Sequence, residues 1–173
     1  MPTENLTAKS KRRNAPHQAN PGAKGRKVEE PSEFKYTPED VVDMFVCRLA
    51  NEAYRYLPAL LEDKYKITVI GQMFRRDVGR MFVDLLADAE RGGTKALIVG
   101  EVGSKLEAKH FARLKRRVKR VAELYEDLNG REIIPMIVAL HAPVSELRRA
   151  ERKGVIVVQS WEWYDYVPEE REK

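Results

Sequence analysis

The stretch MFVDLLADAERGGTKALIVGEVGSKLEAKHFARLKRRVKRVAELYEDLNG, residues 81–130, decides the fold. Met81 to Leu86 is a short apolar run with the length of a strand. Arg91-Gly92-Gly93 is a turn, because paired glycines supply the positive φ angles that tight hairpins need. Lys95 to Val102 is almost wholly apolar, as a strand covered on both faces is, and belongs at the centre of a sheet. From Leu106 to Leu128 the period changes. Phe111, Leu114, Val118, Val121, Tyr125 and Leu128 step by three or four, which predicts a long helix with one buried stripe, ended by Asn129-Gly130.

Upstream, Thr37-Pro38-Glu39-Asp40 has the chemistry of a helix start: a hydroxyl N-cap, proline in the first turn, and acids at the positive end of the dipole. Val41, Val42, Phe45, Leu49, Ala53 and Tyr56 continue it at helical spacing to about Asp63, with Pro58 as a candidate kink point. Ile67 to Phe74 reads as a strand and Asp77-Val78-Gly79 as a turn. The three strands are joined too tightly for crossovers, so they form an antiparallel meander. Downstream lie a strand from Ile133 to Leu140, a helix from Ser145 to Lys153 closed by Gly154, and a strand from Val155 to Val158. That strand is expected to run on into Trp161-Glu162-Trp163-Tyr164-Asp165-Tyr166. The expected order is α-β-β-β-α-β-α-β, an α/β fold with a mixed sheet and helices on both faces.

The chain of 173 residues divides into three parts by composition. Residues 1–36 hold the basic clusters KSKRR and KGRK among Asn, Pro, Gly and Ser, with few large apolar residues. Such a tail buries too little surface to offset its chain entropy and is expected to be disordered. Residues 37–167 form the α/β domain, and residues 168–173 a frayed end. Cys47 is the only cysteine, which excludes an intrachain disulfide and a cysteine-based zinc cluster. No apolar run has the length of a membrane span and the N-terminus has no signal-like apolar region, so a cytoplasmic protein without membrane contact is expected.

Asp84 and Glu101 are the residues that point to chemistry. If the second and third strands pair as a hairpin, both carboxylates converge at one sheet edge. Two such oxygens suit Mg²⁺, with water and a substrate phosphate completing its shell. A metal there would stabilise charge on a phosphodiester under attack, and a nearby lysine would add to that.

Phe82-Val83-Asp84-Leu85-Leu86, a turn, then Leu97-Ile98-Val99-Gly100-Glu101-Val102-Gly103-Ser104-Lys105 and a helix resembles the PD-(D/E)xK restriction-endonuclease-like nucleases, in particular small archaeal members of uncharacterised function. The resemblance covers roughly residues 38 to 160. It implies a restriction-endonuclease-like fold, Asp84 and Glu101 as metal ligands for Mg²⁺, Lys105 as the catalytic lysine, and a further acid from the helix carrying Glu52. The chain departs from the pattern at one place. The superfamily has lysine two residues after the second acid, where this chain has Gly103. Lys105 shares the face of residues 101 and 103 but lies about 6.6 Å further along than the pattern asks. Either it folds back over the gap at Gly103, or the lysine is lost and the domain binds without cutting.

The helix after the third strand is strongly basic. Lys105, Lys109, Arg113, Lys115, Arg116, Arg117, Lys119 and Arg120 stand against Glu107 alone, a local excess larger than the +5 of the whole chain. Like charges four apart on a helix repel, so a counterion from outside is expected. Phosphates along a nucleic-acid backbone fit that need without base reading. Lys109, Arg113, Arg116, Arg117 and Arg120, with Lys11, Arg12 and Arg13 of the tail, are the candidate contacts. Trp161 and Trp163 would share a strand face, able to stack on bases but more often packed in a core or interface. His110 and His141 lack ligand spacing and read as structural or surface residues. Three functions stay open. One is a Mg²⁺-dependent endonuclease acting on DNA phosphodiesters. The second is an inert component binding DNA or RNA, in chromatin or a ribonucleoprotein, on the same scaffold. The third is a homodimeric interaction module.

Overall fold

In the computed structural model, residues 37–125 and 130–166 are described, and they carry α1 (Pro38–Tyr65), β1 (Ile67–Asp77), β2 (Phe82–Arg91), β3 (Thr94–Lys105), α2 (Ala108–Leu124), β4 (Glu132–His141), α3 (Val144–Arg152), β5 (Ile156–Gln159) and a closing 3-10 helix (Ser160–Tyr166). The expectations for the tail with Lys11, Arg12 and Arg13, for Leu128 and Asn129, and for residues 168–173 fall outside the described residues. The element order is the expected one. The sheet runs β1-β2-β3-β4-β5, with β1, β2 and β3 antiparallel and β4 and β5 added parallel to β3. β3 is therefore central, as its apolar run requires.

Each face of the sheet has its own core. On one, Leu49, Ala53, Leu57, Leu60 and Leu61 of α1 meet Leu85, Ala87 and Ala89 of β2 and Ile98 of β3. On the other, Phe111, Leu114 and Val121 of α2 meet Leu86, Leu97, Val99, Ile137 and Ala139, with Ala150 of α3 beside them. The alternation of strand side chains sorts the two sets.

α1 begins as its sequence demands. The Thr37 backbone N–H donates to Asp40 Oδ2 at 2.8 Å, and Asp40 N–H donates to Thr37 Oγ1 at 3.2 Å. Its buried stripe is displaced from the expected one, however. Val41, Val42 and Phe45 are exposed, and burial starts at Leu49. Val41, Val42 and Phe45 lie on the solvent side of the first turns, while Val46 packs against the core. Pro58 lies inside the helix, which continues to Tyr65 and ends on Lys66 at φ 54°.

The aromatic end departs from expectation. The chain leaves β5 as a 3-10 helix, so Trp161 and Trp163 do not share a strand face. Trp163 is wholly buried in the α1-side core, while Trp161 stays exposed. The turn is held by Glu162, whose Oε1 accepts from the Gln159 N–H at 2.8 Å while its other oxygen pairs with Lys64 of α1. Tyr166 hydrogen-bonds Asp63 at 2.5 Å. These polar ties to the end of α1 replace the sheet pairing that a continued strand would have made.

Leu85 of β2 and Gly100 of β3 face each other in the ladder. A Cβ built on Gly100 would lie 2.7 Å from Leu85 Cβ. Gly100→Ala is therefore expected to lower stability by about 1–3 kcal/mol through overpacking. A fall in the urea midpoint at unchanged slope would show it, and an unchanged midpoint would contradict the close approach.

Candidate functional site

The site begins with an irregularity in β2. Phe74 pairs with Leu86, but Arg76 pairs with Val83, so two steps of β1 span three of β2. The extra residue lies between Val83 and Leu86, where Asp84 sits. Bulges of this kind bend a strand and re-aim one side chain. The β2–β3 ladder brings Leu85 opposite Gly100, so the next residues, Asp84 and Glu101, come side by side.

Glu101 continues the Leu97 and Val99 face of β3 and is therefore driven beneath α2. It is 1% exposed, an unusual place for a carboxylate. Two arginines one turn apart on α2 reach it: Arg113 Nη1 lies 3.5 Å from Oε1, and Arg117 Nη1 lies 2.5 Å from Oε2. The same Arg117 Nη1 donates to Asp84 Oδ2 at 2.7 Å, and that oxygen also accepts from the Val102 N–H at 3.1 Å. One guanidinium nitrogen thus bridges both acids. Its hydrogen bond is directed at Asp84, while Glu101 Oε2, fully buried, has charge contact but no hydrogen-bond partner. Burial pushes the Glu101 carboxyl above its usual range; Arg117 pulls it down, and the neighbouring Asp84 pushes it up again. From the other face, Tyr54 of α1 donates to the Asp84 backbone carbonyl at 2.8 Å. A cleft of about 240 Å³ opens there, lined by Asp43, Cys47, Tyr54, Arg75 and Asp84.

The place of the lysine is also taken. A Cβ on Gly103 would fall 2.5 Å from His110 Nε2. The gap through which Lys105 was expected to fold back is filled by that imidazole. Lys105 itself is exposed at the end of β3, level with His141 of β4. His141 lies with it, four residues along β3 from Glu101 and not beside the carboxylates. Glu52 of α1 pairs with Arg48 at 3.0 Å, and the acid of α1 that lines the cleft is Asp43.

The α2 cations are better matched than their sequence suggests. Besides Arg113 and Arg117, Lys109 pairs with Glu107 at 2.6 Å, and Glu123 receives Lys119 at 3.9 Å and Arg120 at 3.3 Å. Arg120 also donates from Nε to the Val78 carbonyl at 3.2 Å. The expectation of an uncompensated helix is thereby corrected. Acids far away in sequence, on β2 and β3, fold under α2, and Glu123 lies one turn beyond the basic run. Lys105, Lys115 and Arg116 have no ion-pair partner among the described residues. The sequence alone makes Arg117 an outward phosphate contact, yet His110, Arg117 and Val121, with Leu114, form a 4-3-4 spacing on the buried side. That spacing was the available signal for an inward arginine.

The donors at this site meet only part of what a divalent cation, implied by the resemblance, would require. Two hard oxygens are adjacent, one of them without a hydrogen bond, which suits such an ion. However, the positive charge between them is already supplied by Arg117, the lysine position is glycine under a histidine, and among the described residues no group of three or more His, Cys, Asp or Glu side chains is placed to hold a metal. As arranged, the residues do not fit a resident metal.

Residues 51–165 match the model of a family described as a domain of unknown function, DUF8196. The chain belongs to that family. No curated protein matches it. Among solved structures it is similar to a repair endonuclease from Pyrococcus abyssi, at 16% identity and a TM-score of 0.41, over 60% of this chain and 45% of that one. The EndoMS–dsDNA2 complex is matched at 16% identity and 0.40, over 61% and 44% of the two chains. EndoMS in its apo form is matched at 15% and 0.38, over 61% and 45%. This member of the DUF8196 family thus spans less than half the length of the structures it resembles. Among its described residues no helix is long and apolar enough to cross a membrane.

His110 gives the site a pH dependence. Its Nδ1 accepts from the Glu107 N–H at 3.1 Å, a role open only to the unprotonated nitrogen. Burial, aided by the charges of Lys109 and Arg113, holds its pKa below the ordinary imidazole value. In the window below that value the unfolded chain binds the proton and the folded one does not, so stability falls as pH drops. A pH series of urea midpoints on wild type and His110→Gln is expected to show a smaller loss below about pH 6.5 in the variant. Parallel curves would remove His110 from the effect.

Proposed function

We propose that this protein binds the phosphate backbone of nucleic acid, DNA in the first instance, on a nuclease-like scaffold that does not itself cut. The observation that carries the second half is the Arg117 guanidinium lying between Asp84 and Glu101, where the resemblance puts the metal. The first half is supported by Lys105, Lys115 and Arg116, which are exposed and have no ion-pair partner among the described residues. Lys109 and Lys119 are exposed, and their pairs with Glu107 and Glu123 are of the surface kind that contributes about 0–1 kcal/mol. A phosphate can exchange into such pairs with little loss. Lys11, Arg12 and Arg13 of the tail would add contacts to the same polyanion.

Binding of this kind is electrostatic and carries a salt slope of about 0.9 per neutralised phosphate. Fluorescence anisotropy with a labelled DNA duplex, and with RNA for comparison, is expected to show affinity falling steeply from low to physiological salt. Lys115→Glu with Arg116→Glu should weaken it and lower the slope by about two, one for each phosphate no longer neutralised. Binding without a salt slope would reject phosphate recognition. The same duplex incubated with Mg²⁺ or Mn²⁺ is expected to stay intact. Cutting that disappears in Asp84→Ala would instead favour a metal-dependent endonuclease, the reading that the adjacency of Asp84 and Glu101 supports.

A further inference from the structure

We infer that Arg117 is the resident cation of the Asp84–Glu101 pair, and that the pair takes up a divalent metal only when that guanidinium is removed. A buried carboxylate beside a second carboxylate needs a positive partner within bonding distance. Arg117 Nη1 meets that need alone at the midpoint, 2.7 Å from Asp84 Oδ2 and 2.5 Å from Glu101 Oε2. A metal bound by the same two oxygens would overlap it, so the two cations exclude each other.

The pair is more than an acidic cluster with an incidental arginine. Glu101 Oε2 is buried and makes no hydrogen bond, so its stabilisation comes from the charge of Arg117. With the guanidinium removed, that oxygen and Asp84 Oδ2 would face one space from which a positive group had just left. Asp84 stays oriented through the Val102 N–H and through Tyr54 on its carbonyl, neither of which involves α2. Arg113, at 3.5 Å from the other Glu101 oxygen, pairs with Glu101 and not with Asp84, so it does not replace the bridge. Removing Arg117 therefore leaves two preplaced hard oxygens with no cation between them.

The inference rests on the non-cutting half of the proposed function, which shares the Arg117 geometry, and is independent of nucleic-acid binding; the salt-dependent assay can succeed or fail without touching it. The probe is Mn²⁺ alone. Free Mn²⁺ is followed by electron paramagnetic resonance during titration of wild type, Arg117→Ala, Arg117→Gln and Arg117→Gln with Asp84→Asn. Wild type is expected to leave Mn²⁺ free. The single variants should bind it at least about tenfold more tightly than wild type, a difference of about 1.4 kcal/mol. The double variant should lose that gain. Mn²⁺ should also raise the thermal midpoint of the single variants and leave that of wild type unchanged, since a ligand of the folded state stabilises it. Wild type binding Mn²⁺ as well as Arg117→Gln does, through Asp84, would overturn the inference. So would single variants that neither bind Mn²⁺ nor are recovered by it on refolding.

Discussion

One guanidinium nitrogen between two carboxylates is the constraint to which the rest of the domain is arranged. Glu101 lies under α2 in a place where an ionised side chain is costly, and only a cation with matching reach makes it tolerable. Arg117 supplies that charge and at the same time joins α2 to β2 and β3. Losing one partner of such a buried pair typically costs about 3–5 kcal/mol, a large fraction of the stability of a small domain. The bridge is therefore structural before it is functional.

Several separate features serve that bridge. The β2 bulge turns Asp84 toward α2, the pairing of Leu85 with Gly100 places Asp84 beside Glu101, and Tyr54 fixes the Asp84 backbone from the opposite face. Gly103 makes room for His110, whose ring accepts the N–H of Glu107 and so sets where α2 starts. The start of the helix in turn sets which of its arginines point inward.

The same geometry divides the cations of α2 into two groups. Arg113 and Arg117, and Arg120 through the Val78 carbonyl, are turned toward the sheet and its loops. Lys105, Lys115, Arg116 and the weakly paired Lys109 and Lys119 face water. A polyanion would meet the second group while the first holds the scaffold. That division is why a count of positive charges overstates how many of them are free of partners within the fold.

Much of this was legible from local pattern. The element order, the central place of β3, the glycine turn after Arg91, the capping of α1 and the meeting of Asp84 with Glu101 all follow from period, turn chemistry and short connections, which act between neighbours in the chain. What tertiary structure decided were pairings between residues distant in sequence. The inward turn of Arg117, the burial of Trp163 by a 3-10 turn, the bare first turns of α1 and the filling of Gly103 by His110 depend on which surface each element meets. A sequence states which side chains carry charge or apolar area, but the partner that neutralises or covers them is chosen only when separate elements pack, because burial and charge pairing act through space and not along the chain.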